Sequence, residues 1–173
     1  FRSIKRNNGV VDKFIGDAIM AVFYPGDNLD DEIRAVTCAI QMNEALWHFN
    51  HARETSGSFK IQIGVGINTG KVIAGMIGSN SGRLDYTVIG DTVNTASRLE
   101  GLSKEGKYTK IVVSETTYEA VKNIFDAELM PPMEVKGKKE IVKLYEIIGL
   151  KDIDKLIAGL ESPDDRRRYD AVS

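Results

Sequence analysis

The sequence predicts an α+β domain, because it carries two hairpin signals, one long amphipathic helix between them, and no strict strand-helix alternation. Residues 10–23 are rich in β-branched and aromatic side chains and are broken once, at Gly16-Asp17, a good two-residue turn. Two antiparallel strands with Asp17 at the tip follow. Residues 59–68 alternate like a strand, Thr69-Gly70 supplies a turn, and residues 71–77 return, which predicts a second hairpin.

The remaining elements follow in order. Residues 1–9 look like the last turns of a helix running into a stop at Gly9, so the chain opens inside an element and predicts further structure upstream. Asn28 and the acids Asp30, Asp31 and Glu32 mark a helix start. Ile33, Val36, Ile40 and Trp47 keep helical spacing to about Asn50. Residues 84–89 form a short extended run, and Gly90-Asp91 launches a helix over residues 92–102. A strand over 110–113 leads to Ser114 and Glu115, which cap a short helix to Val121. Extended stretches near 127–135 and 141–148 flank the basic turn of Lys136, Gly137, Lys138 and Lys139. Together they predict a ferredoxin-like antiparallel or mixed sheet with helices packed on it over residues 1–149. Residues 150–173 read as a short helix and a charged tail.

Composition limits the function classes. The chain has 173 residues and 42% hydrophobic content, enough for one domain with a real core. Lysine and arginine total 23 against 25 acids, so a net charge of -2 gives no global field for nucleic acid. The single cysteine, Cys38, supports no internal disulfide and reads as a small buried hydrophobe. No run approaches the roughly 20 apolar residues of a membrane span, and no signal peptide opens the chain.

Three groups of residues carry chemistry. Asp17 is a carboxylate on a tight turn, suited to a hard cation such as magnesium, although such an aspartate also serves simply as a turn former. Asn94 and Arg98 stand four apart and project from one helix face, where an amide and a guanidinium can hold a ribose oxygen and a reacting phosphate; a solvated polar face has the same spacing. Lys138 belongs to a basic turn able to bind a triphosphate, or to an ordinary exposed lysine loop.

Taken together, these segments resemble a known family. VDKFIGDAIMAVF at residues 11–23 is similar to the metal-binding hairpin of class III adenylate and guanylate cyclases. DYTVIGDTVNTASRLE at residues 85–100 is similar to their substrate-binding strand and helix, and GKVIAGMIG at 70–78 and VKGK at 135–138 complete the set in the family's order. The resemblance covers residues 9–148. It implies that Asp17 is the second of two metal-binding aspartates, and that Lys13 and Thr87 read the purine, with lysine at the first position typical of adenylate cyclases and glutamate of guanylate cyclases. It implies too that Asn94 and Arg98 orient the ribose and stabilise the pentavalent phosphorus, that Lys138 holds the terminal phosphates, and that Arg83 lies near a phosphate-contacting arginine.

The implied reaction is conversion of ATP to cyclic AMP and pyrophosphate with two magnesium or manganese ions. In the family each site is shared between subunits, so a homodimer is expected, as are an upstream regulatory or sensor domain and a cytoplasmic location for the catalytic domain, with membrane anchoring of the full-length protein left open. The first metal aspartate and the first strand belong before Phe1, and their absence predicts a gap in the sheet. Competing readings are a non-catalytic cyclase-like dimerisation or regulatory module, a guanylate cyclase, a diguanylate cyclase, whose Gly-Gly-Asp/Glu-Glu-Phe signature is not found, and a plain ferredoxin-like binding domain.

Overall fold

A computed structural model describes residues 1–26, 30–78, 84–131 and 142–152. Helix α1 (Arg2–Arg6) leads into the antiparallel hairpin of β1 (Val10–Ile15) and β2 (Ala18–Val22). Its two-residue turn has Gly16 at φ 62°. The left-handed residue that ends α1 is Asn8, at φ 55°, rather than Gly9. Gly9 is required for another reason: a Cβ there would stand 2.7 Å from the Phe23 ring.

The long helix α2 (Asp31–Thr55) runs past the predicted end. Beyond it the predicted second hairpin is replaced by a different pairing. Only Val65–Ile67 forms a strand, β3, and it pairs in parallel with β6 (Ile111–Ser114). Residues before it cannot enter a ladder at Ile61, because the Asn50 side chain donates to Ile61 O at 2.7 Å and accepts from Ile61 N at 2.8 Å. The real second hairpin joins β4 (Ile73–Gly78) to β5 (Leu84–Ile89). Helix α3 (Asp91–Leu102) follows, then α4 (Glu115–Val121), β7 (Phe125–Leu129) and β8 (Leu144–Leu150).

The main sheet is mixed, in the order β3-β6-β8-β7, and the two hairpins stand outside its ladder. All four residues of β6 are buried, as suits a strand covered on both faces. Its alternation sorts them. Ile111 and Val113 join Val36 and Ala39 of α2, Val121 of α4, Phe125 and Ile147 in one core. Val112 joins Leu99 of α3, Met130 and Leu144 in the other. Fully burying such side chains contributes about 1.5–3 kcal/mol each, which fixes α2, α3 and α4 on the sheet.

Two features fix α3 along its axis. Gly66 lets β3 touch the helix backbone, because a Cβ there would lie 2.2 Å from Glu100 N and 2.3 Å from Ala96 O. At the other end, Asn68 Nδ2 donates to Thr92 O at 2.9 Å and Thr92 Oγ1 donates to Lys71 O at 2.7 Å. The helix that carries Asn94 and Arg98 is therefore clamped by both strand and loop.

Candidate active site

The hairpin β1-β2 and the strand-helix unit β5-α3 supply the candidate residues. Within β1 the register slips: Val11 faces Ala21 and Lys13 faces Met20, so Asp12 is the extra residue of a β-bulge. Adjacent side chains of a regular strand point to opposite faces, but a bulge re-aims them. Here Asp12 Oδ2 lies 3.4 Å from Lys13 Nζ, with the Asp12 side chain only 5% exposed. The same oxygen accepts a 2.7 Å hydrogen bond from Thr87 Oγ1 on β5. Lys13 and Thr87, distant in sequence, are thus joined through one carboxylate.

Asp17 is exposed at the hairpin tip and has no hydrogen bond or ion pair among the described residues. On α3, Thr95 and Leu99 turn to the core while Asn94 is exposed and Arg98 half-buried. Among the described residues Arg98 Nη1 is buried without a hydrogen-bond partner, and Asp91 Oδ1 lies 4.0 Å away. A buried guanidinium nitrogen left unbonded is costly, and suits a site where an anion arrives later. Arg83 and Lys138 lie outside the described residues.

A cleft of about 450 Å³ lies beside the site, lined by Val10, Val11, Asp12, Val22, Tyr24 and Tyr86. Neither Lys13 nor Thr87 lines it, so the site's organisation rests on hydrogen bonds rather than on that cavity. The Tyr24 hydroxyl is pushed above its ordinary range by burial, with Tyr86 and Asp12 adding to the shift. Among the described residues, no group of three or more His, Cys, Asp or Glu side chains could hold a metal ion. Sequence reasoning gave Asp12 no role, because no glycine signals the bulge.

The model of the adenylate and guanylate cyclase catalytic domain matches residues 1–149. The chain belongs to this family. An adenylate cyclase of Dictyostelium discoideum, described as terminal-differentiation specific, is 40% identical over 158 residues, covering 90% of this chain and 7% of that protein. The chain thus spans a small part of that relative. Among solved structures, the adenylyl cyclase CyaB from P. aeruginosa superposes with a TM-score of 0.76 at 30% identity, covering 87% of this chain and 76% of the other. The guanylyl cyclase Cya2 superposes with a TM-score of 0.74 at 33% identity, covering 87% and 75%. The cyclase domain therefore has both adenylate- and guanylate-forming relatives at similar distance, and the mixed α+β fold expected from the sequence is the one it adopts. No helix among the described residues is long and apolar enough to cross a membrane.

Proposed function

We propose that this cyclase domain converts ATP to 3′,5′-cyclic AMP and pyrophosphate in a homodimer. The supporting observation is the Lys13-Asp12-Thr87 cluster, which sets an ammonium donor and a hydroxyl side by side. An ammonium has donors only and can bond the unprotonated N1 of adenine, whereas the N1–H of guanine needs an acceptor. The Thr87 hydroxyl accepts from the adenine amino group. Guanylate-forming relatives are as similar overall, but the position of Lys13 resembles the adenylate form.

Asn94 orients the ribose, and Arg98 neutralises charge that builds on the α-phosphate as the 3′-oxygen attacks and pyrophosphate leaves in line. Lys138 and Arg83 hold the phosphate tail. Magnesium binds through one or two carboxylates together with substrate phosphates, and the exposed Asp17 carboxylate fits one such ligand. Asp17 would hold a magnesium or manganese ion, which would supply activation of the 3′-hydroxyl and screening of the phosphates.

The homodimer reading draws on exposed apolar side chains: Phe14, Ile15 and Ile19 on one hairpin, and Ile73, Met76 and Tyr86 on the other. Phe14 pairs with Ile19 and Met76 with Tyr86 across their ladders, and such exposed apolar pairs are the kind of surface that marks an interaction face. A cytoplasmic domain governed by a regulatory or sensor domain in a longer chain completes the proposal. Complementation tests it. Full-length Asp17→Asn and Arg98→Ala variants, each inactive alone, regain cyclic AMP synthesis when mixed if the site is shared between subunits. No recovery in stable mixed dimers rules out the shared site.

A further inference from the structure

We propose that Asp12 is a positioning residue that sets purine specificity by making the Thr87 hydroxyl an acceptor only. The inference rests on the reading of Lys13 and Thr87 as the purine-reading pair. A threonine hydroxyl carries one donor and two acceptor lone pairs and rotates to suit its partner. Alone, it would serve the amino group of adenine and the 6-oxo group of guanine about equally well. In this structure its proton is directed to Asp12 Oδ2 at 2.7 Å, so only lone pairs remain for a purine. Those lone pairs accept from an amino group and repel a carbonyl oxygen.

The same oxygen holds Lys13. Its ammonium stands 3.4 Å from Asp12 Oδ2, so one buried acceptor fixes the proton of Thr87 and the position of the donor beside it. The bulge makes this possible, since Asp12 has no cross-strand partner and turns toward β5. Thr87 is itself buried, at 4% exposure, which keeps water from replacing the carboxylate as its acceptor.

The test compares kcat/KM for ATP and GTP in the full-length protein and in Asp12→Ala, Asp12→Ser and Asp12→Asn variants, with thermal melting as the check on folding. The ATP-over-GTP ratio is expected to fall roughly tenfold in the Ala and Ser variants as the hydroxyl becomes free to donate to GTP. It is retained in the Asn variant, whose carbonyl oxygen still accepts from Thr87. An unchanged ratio in folded Ala or Ser variants overturns the inference, as does an equal loss with both nucleotides, which marks a merely structural residue. A native protein without ATP preference overturns the underlying purine reading instead, and does so before any Asp12 variant is made.

Discussion

Arg98 Nη1 stands 4.0 Å from Asp91 Oδ1, near enough for attraction and too far for a hydrogen bond. The guanidinium is thereby held half-buried on α3 with donor capacity in reserve. Its cost is met by Leu99 and Thr95, which anchor the next face of the same helix in the core.

Removing that reserve should slow chemistry more than binding. Arg98→Ala or Asn94→Ala is expected to lower kcat by about 10²–10³ with a much smaller change in KM, as when one transition-state donor is deleted. Steady-state kinetics checks this, and unchanged kcat removes both residues from the mechanism.

Reversing the charge at the purine should redirect the substrate. Lys13→Glu places a second carboxylate against Asp12, whose oxygen now faces an ammonium at 3.4 Å. ATP use is expected to drop by at least about tenfold while GTP use drops less or rises, because each mismatched polar contact at a purine edge costs about 1–3 kcal/mol. Parallel kcat/KM measurements decide.

Closing the contact between β3 and α3 should unseat the helix. Gly66→Ala puts a methyl group 2.2 Å from Glu100 N, backbone that cannot swing aside. The expected loss is about 1–3 kcal/mol or more of stability, read as a lower denaturant midpoint, together with reduced activity. A midpoint equal to that of the native protein contradicts the close packing.

Glu146 organises the loop before β6. Its buried carboxylate accepts from the backbone N–H groups of Lys107 at 2.7 Å, Tyr108 and Thr109 at 2.9 Å, and Lys110 at 2.8 Å. Glu146→Ala leaves those amides without their acceptor and is expected to cost about 3 kcal/mol, since bonds to a charged group contribute about 1.5–3 kcal/mol. A drop in melting temperature with unaltered ATP-over-GTP selectivity is the expected pattern.

Burial pushes the Cys38 thiol above its ordinary range. The folded state thus favours the protonated thiol, a contribution complete below the unfolded thiol pKa and lost as pH rises through the folded value. Thiol reagents should label Cys38 only after unfolding. Immediate labelling of native protein would contradict its burial.

What the sequence revealed was local. The Gly16-Asp17 turn, the α3 start at Gly90-Asp91 and the Ser114 cap are set by neighbouring residues, and the structure reproduces them; Ser114 Oγ accepts from Thr117 N. The partner of β3 was not legible, because alternation over residues 59–68 reports faces but not which strand lies alongside, and Asn50 takes up the backbone of Ile61. Asp12 was hidden for a related reason. Its role arises from a bulge and from a hydrogen bond to Thr87, contacts that neither spacing nor residue type encodes. The roles proposed for Asp17, Asn94, Arg98 and the purine pair rest on family resemblance, with the Arg98 nitrogen that has no partner among the described residues as the structural observation in favour of one of them.

The most direct measurement is product analysis of the full-length protein given equal ATP and GTP with magnesium or manganese. Cyclic AMP should dominate, and Lys13→Glu should erode that dominance. Cyclic GMP as the main product of the native protein would contradict the account.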